Sequence, residues 1–229
     1  MAYTYDYPRP SLTVDCIIFG LDESSRLKVL LIQRGHDPFK DAWALPGGFV
    51  DENEPLEAAA LRELKEETGV TDVFIEQLYT FGTPGRDPRG RVVTVAYYAL
   101  INLSEYQIGA DSDAKDVKWF AIDELPALAF DHADILYLAI NRLRSKIRYQ
   151  PVGFELLPKE FTLTQMQTFY ETILGKQLNK RNFRTKILGM DILKEGSILR
   201  GVAHRPAQLY RFDEDKYQEY LRQGFNFEI

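Results

Sequence analysis

The chain has 229 residues, of which 45% are hydrophobic and 27% charged, and carries a net charge of −6. That length buries one large core or two small ones, and the composition is that of an ordinary globular protein, which excludes a disordered or fibrous chain. The single cysteine, Cys16, excludes an internal disulfide framework, and no stretch approaches the roughly 18 apolar residues of a membrane helix. The opening MAYTYDYPRPS lacks the basic-then-apolar pattern of a secretion signal, so a cytoplasmic location and no membrane partner are expected.

The charge is unevenly spread. Residues 1–158 hold 16 basic against 25 acidic side chains, a net −9; residues 159–212 hold 10 against 4, a net +6; the tail from 213 returns to −3. A basic block inside an acidic chain suggests a second module with a polyanionic partner.

In chain order, Val14 to Gly20 and Lys28 to Gln33 are apolar, β-rich runs joined by LDESSR, which reads as a hairpin, with Cys16 a buried strand residue. RGHDPFKDAWALPGG reads as a loop with one aromatic anchor, Trp43, placed either to stack on a base or to fill core. Pro55 suits the first turn of a helix, Asp51 and Asn53 suit its cap, and Gly69 its end, so a helix is expected over Glu54 to Thr68. Val73 to Phe81 and Val92 to Ile101 read as strands around an arginine-rich loop, FGTPGRDPRGR. The acidic loop SEYQIGADSDAKD leads to a short strand, VKWFAI, and then Phe130 to Ile147 has helical periodicity, with His132 a structural residue at its start.

The helix over 54–68 carries more carboxylate than solubility requires. Leu56, Ala59, Ala60 and Leu64 form its apolar stripe, and at roughly 100° per residue Glu63, Glu66 and Glu67 crowd one face beside Arg62. Like charges repel there unless a cation sits among them. Oxygen donors without His or Cys suit a hard ion such as Mg²⁺ or Mn²⁺, and a hard ion in turn suits a phosphate substrate. The segment resembles the Nudix box: Gly48, five residues, Glu54, seven residues, Arg62-Glu63, Leu64, Lys65, Glu66-Glu67, Thr68, Gly69, Val70, with every defined position filled. The resemblance implies an α/β/α sandwich around a mixed sheet. It also implies that Glu63, Glu66 and Glu67 bind the metal or assist the attacking water, that Arg62 orients them, and that the Gly47 carbonyl is a further ligand. Which glutamate is the base stays open, and Asp111, Asp113 and Asp116 are candidates for a carboxylate from outside the box. Arg34, Arg86 and Arg89, with Arg91, are candidates to clamp phosphate or ribose, since guanidinium suits bidentate phosphate contacts.

Tyr149 to Pro158, with two prolines and a glycine, marks a domain boundary, placed between residues 150 and 151. Beyond it, Thr162 or Thr164 caps a helix through Leu174, GKQL turns the chain, and Asn179 to Met190 forms a second helix. DILKEGSILRGVAHRPAQLYRF alternates like a β-ribbon around a Gly- and Pro-containing tip. Helix, turn, basic helix and hairpin make a small winged helix-turn-helix, so the overall class is α+β. Lys180, Arg181, Asn182, Arg184 and Lys186 on the second helix, and Arg200, His204 and Arg205 at the wing tip, are candidate contacts to duplex DNA. Half-site reading calls for a homodimer.

Taken together, a Nudix domain followed by PVGFELLPKEFTLTQMQTFYETILGKQLNKRNFRTKILGM and a wing ending in HRPAQLYRF resembles the NrtR-type Nudix-related transcriptional regulators over nearly the whole length. That resemblance implies control of NAD metabolism with ADP-ribose, or a similar nucleoside diphosphate, as the ligand, and operator DNA as the partner. Many such regulators have a degenerate box, whereas this one is intact, which argues for retained hydrolysis. Two alternatives are a catalytically silent, arabinose-type sugar-responsive repressor and a plain Nudix hydrolase whose basic domain serves interaction only.

Overall fold

The structure is a computed structural model that describes residues 5–22, 24–103, 108–109, 114–151, 154, 156–199, 207–224 and 227. Its contacts divide the chain into two compact units, Met1–Gly20 with Leu27–Ile140, and Leu21–Arg26 with Asn141–Ile229.

The first unit is built on strands β1 (Ser11–Leu21), β2 (Leu27–Arg34), β3 (Trp43–Ala44), β4 (Gly47–Phe49), β5 (Glu76–Phe81), β6 (Val92–Asn102) and β7 (Ala114–Ala121). They make one seven-stranded sheet in the order β3-β2-β1-β6-β5, with β4 also paired to β1 and β7 to β2. In β1 every residue from Thr13 to Gly20 is buried, on both faces of the strand. A strand covered on both sides needs an apolar layer above and below it; helix α1 (Leu56–Thr68) supplies one, and helix α2 (His132–Lys146) follows the last of these strands in the chain. Val14, Cys16, Ile18, Leu30 and Ile32 join Ala59, Ala60 and Leu64 of α1 in one core cluster.

Helix α1 starts later than expected, after Pro55, with no side-chain cap from Asp51 or Asn53. The residue before a proline is driven out of the helical region, so Glu54 cannot be helical. Its carboxylate instead folds back, accepting from the Asp51 N–H at 3.3 Å and from Arg62. Gly69, left-handed at φ 75°, ends the helix by donating its N–H to the Lys65 carbonyl. The loop expected over residues 34–48 contains β3 and most of β4. Their register on the sheet, Ile32↔Ala44 and Asp15↔Gly47, carries the chain across the mouth of the fold.

The second unit holds α3 (Leu163–Leu174), α4 (Lys180–Gly189), α5 (Glu214–Arg222) and a sheet of β8 (Phe161–Thr162), β10 (Ala207–Phe212) and β9 (Leu193–Leu199), in that order. Thr162, not Thr164, caps α3: its hydroxyl accepts from the Gln165 N–H while the Gln165 side chain accepts from the Thr162 N–H. Asn179 caps α4 by accepting from the Asn182 N–H at 3.0 Å. Met166, Phe169, Tyr170, Ile173, Phe183 and Ile187 are buried between these helices and the sheet. The division between the two compact units falls within α2. Within the second unit, Arg144 Nε donates to the Ile173 carbonyl at 3.1 Å.

Candidate functional site

A cleft of about 480 Å³ opens at the end of the first unit where β1, β2, the β3–β4 turn and α1 meet. It gathers Glu63, Glu66 and Glu67 with Arg62, Gly47 and Gly48, and, from outside the box, Asp15, Arg34, Arg86, Arg89, Phe130 and His132.

Arg62 is the organiser of the acidic wall. Its Nε and Nη2 donate to Glu54 Oε1 and Oε2 at 2.8 and 2.9 Å as a fork, Nη1 donates to Glu63 Oε1 at 2.8 Å and Glu66 Oε2 at 3.3 Å, and Nη2 reaches the Phe49 carbonyl at 3.1 Å. Hydrogen bonds from the guanidinium hold Glu54 below the usual carboxylate range. Glu54 was legible only as a position in the box. The structure gives it the work of fixing Arg62.

Glu67 is buried at the base of the cleft, where Oε2 accepts from the Gly47 N–H at 2.8 Å. Burial pushes its carboxyl up to about 8, an effect the Gly47 N–H opposes and the charges of Glu63 and Asp15 reinforce. Burial likewise raises Glu63, against the pull of Arg62. Both glycines make close approaches here, Gly47 to backbone and Gly48 to the end of a flexible side chain. A methyl group built on Gly48 would stand 2.4 Å from Glu63 Oε1, and one on Gly47, at φ 152°, would stand 2.1 Å from the Val14 carbonyl oxygen.

These donors are all oxygen and carry more negative charge than Arg62 neutralises, which fits a hard divalent ion. Among the described residues, no three His, Cys, Asp or Glu side chains converge closely enough to hold a metal as they stand. For Gly47 the contact seen is its amide on Glu67, which leaves the carbonyl uncommitted to that bond.

The opposite wall is basic and aromatic. Arg34 donates from Nε to the Pro38 carbonyl at 2.8 Å and lies 4.9 Å over the Phe130 ring. Arg89 is clamped by Asp87, with Nη2 at 2.6 Å from Oδ2, and lies over Phe49 at 4.9 Å and Phe130 at 5.5 Å. Arg86 lines the cleft, but its guanidinium is only 4% exposed and is held bidentately by Asp131 at 2.9 and 2.6 Å, with Asp15 at 3.6 Å. A cation so paired is a structural strut before it is a phosphate clamp. Arg91 donates to the Gly82 carbonyl and is not part of the cleft lining. Trp43 packs edge-on to Phe120 at 4.7 Å and also lies outside the lining; the aromatic faces presented to a ligand are Phe130 and Phe49.

His132 is buried, with Nδ1 accepting from the Leu45 N–H at 2.9 Å and Nε2 facing Asp15 Oδ1 at 3.4 Å. Burial lowers its pKa against the pull of Asp15, so the ring is neutral at pH 7 and carries its proton on Nε2. Asp116 is half-buried on β7, paired with Lys118 and outside the cleft lining; Asp111 and Asp113 lie outside the described residues. Asp15, Asp87, Phe130 and Asp131 were not singled out from sequence; the partners of Asp15 and Asp131, Arg86 and His132 among them, include residues far away along the chain.

In the second unit, Lys180, Arg181, Asn182 and Lys186 are exposed on α4, with Phe183 and Ile187 on its buried face. Arg184 does not share that exposure: it is half-buried and its Nη2 donates to Thr164 Oγ1 at 3.1 Å, tying α4 to the start of α3. The wing-tip residues Arg200, His204 and Arg205 lie outside the described residues.

The fold and the box find their counterparts among known proteins. The NUDIX domain model matches residues 9–139, and the model of the NrtR DNA-binding winged helix domain matches residues 153–212. The chain belongs to the Nudix family, in the branch of NrtR-type regulators that join a Nudix domain to a winged helix. It is 42% identical over 226 residues to the ADPR responsive transcriptional repressor NtrR of Acinetobacter baylyi, covering 97% of this chain and 87% of that protein. It is 40% identical over 130 residues to the ADP-ribose pyrophosphatase of Methanocaldococcus jannaschii, covering 57% of this chain and 73% of that one. The crystal structure of Shewanella oneidensis NrtR complexed with a 27mer DNA is similar with a TM-score of 0.77 at 39% identity, over 94% of this chain and 97% of that chain.

Proposed function

We propose that this chain is an ADP-ribose-responsive transcriptional regulator whose Nudix domain, residues 1–150, also hydrolyses its ligand, and whose winged helix, residues 151–229, binds duplex operator DNA. The observation that carries this reading is the cleft itself. It sets a complete Nudix glutamate set, organised by Arg62, opposite a wall of guanidinium and phenyl faces, which matches a ligand with a diphosphate at one end and flat nucleoside at the other. The relatives whose names specify ADP-ribose, a repressor and a pyrophosphatase, support the same ligand.

Mg²⁺ or Mn²⁺ bound to Glu63, Glu66 and Glu67, with the Gly47 carbonyl, would neutralise the diphosphate and activate the attacking water. The chain's own part is positional: Gly47 N–H fixes Glu67, Arg62 fixes Glu63 and Glu66, and Arg34 and Arg89 receive the sugar and phosphate oxygens. On α4, Lys180, Arg181, Asn182 and Lys186 contact the DNA backbone and base edges, joined by Arg200 and Arg205 of the wing. A homodimer in the cytoplasm presents two such helices to two half-sites. Ligand binding alters DNA affinity only if the ligand prefers one of two arrangements of those helices.

The test is release of AMP and ribose phosphate from ADP-ribose with Mg²⁺, in the wild type and in Glu66→Gln with Glu67→Gln. Metal-dependent turnover that disappears in the variant supports the hydrolase. Ligand-induced stabilisation without any turnover would leave the domain a sensor alone.

A further inference from the structure

We propose that His132 is a positioning residue for the metal-binding carboxylates, acting through the Leu45-Pro46-Gly47-Gly48 turn, which deepens the reading of Glu63 and Glu67 as the metal site and rests on it. The chain of contacts is short. His132 Nδ1 accepts from the Leu45 N–H at 2.9 Å, two residues along Gly47 donates its N–H to Glu67 Oε2 at 2.8 Å, and the next residue, Gly48, lies against the Glu63 carboxylate closely enough that a methyl group would overlap it. The turn thus sets the depth of both glutamates, and His132 sets the turn.

Both ring nitrogens have a partner, and the chain on the N-terminal side of the ring is held as well. Nε2 faces Asp15 Oδ1 at 3.4 Å, and Asp15 stands 3.6 Å from Arg86, which grips Asp131, the residue before His132. Immediately upstream, the Ala129 N–H donates to the Trp43 carbonyl, so the start of α2 is pinned to β3 on one side and to the β3–β4 turn on the other. A buried neutral histidine that accepts a backbone N–H on one nitrogen and faces a carboxylate with the other has a fixed tautomer and orientation. What it orients here is a backbone amide whose neighbours carry the glutamates. Pairing of β4 with β1, and the Cys16 N–H on the Pro46 carbonyl at 2.8 Å, hold the same turn from the sheet side. The role assigned to His132 is the hold that the sheet does not give.

The experiment uses the full chain and compares His132→Phe, which keeps a ring but removes the acceptor, with His132→Asn, whose Oδ1 can occupy the place of Nδ1. Mn²⁺ binding is followed by electron paramagnetic resonance, and ADP-ribose turnover is followed with metal titrated. The Phe variant is expected to weaken Mn²⁺ binding and lower kcat by about 10- to 100-fold with KM for ADP-ribose little changed, and the Asn variant to recover most of both. Equal Mn²⁺ affinity in the wild type and the Phe variant overturns the proposal, as does an Asn variant that loses as much as Phe, since packing alone would then explain the effect. If the wild type turns over no ADP-ribose, the hydrolase reading fails, while the Mn²⁺ comparison still decides the role of His132. A wild type that binds no Mn²⁺ overturns both.

Discussion

Glu67 shows how a residue's surroundings carry its chemistry. A carboxyl raised to about 8 in the folded chain, against 4.5 for an ordinary glutamate, keeps its proton in the native state where the unfolded chain has lost it. Its contribution to stability is therefore full below pH 4.5 and lost as pH rises through 8. The metal-free protein is expected to melt at a lower temperature at pH 8 than at pH 6, and Mg²⁺ to raise the melting temperature more at pH 8, where it meets the ionised carboxylate; scanning calorimetry with and without EDTA measures both. Gly48→Ala tests the close approach directly. The methyl group displaces the Glu63 carboxylate, a flexible side chain, so turnover is expected to fall by roughly 10-fold or more while the melting temperature changes little. At this scale the box was readable because its chemistry demands particular residues at particular spacings. The pairing of Arg86 with Asp131 and of His132 with Leu45 was not, because these partners are separated by 45 and 87 residues and no local period records such pairs.

Elements were legible in proportion to their apolar periodicity. The long strands β1, β2 and β6 and helices α1 to α4 each bury a regular set of side chains, which is what a sequence pattern reports. Strands β3 and β4 have only two and three residues and sit among Gly and Pro, so their pairing is decided by the sheet they join. Helix α5 was missed for a related reason: among its nine residues only Tyr217 is buried, and it is held instead by the Asp213 cap, by Lys216 on Asp191 and by the packing of Tyr217 on Phe212. The capping box of α3 makes a separate prediction. Thr162→Ala removes the hydroxyl that accepts the Gln165 N–H, and should destabilise the winged-helix domain by about 1 kcal/mol in urea unfolding. No loss would mean that packing of Phe161 and Leu163 alone fixes the start of the helix.

The whole molecule has an acidic cleft in one unit and a basic helix in the other. No helix among the described residues is long and apolar enough to cross a membrane. If α4 meets the phosphates, DNA affinity should fall steeply with salt, and Arg181→Ala should weaken binding to all sequences alike and reduce the slope of log K against log salt by about 1. An unchanged slope would remove Arg181 from the interface. The central claim is that occupancy of the cleft changes DNA binding by the same chain. Duplexes selected from a random pool by the full-length protein would be titrated with it, at fixed salt, in the absence and presence of saturating ADP-ribose without added metal. The account predicts a change in DNA affinity of at least about 5-fold, the lower end of ordinary allosteric coupling, that an equal mixture of AMP and ribose phosphate does not reproduce. Identical affinity with and without ADP-ribose, in a protein shown by calorimetry to have bound it, would contradict the account.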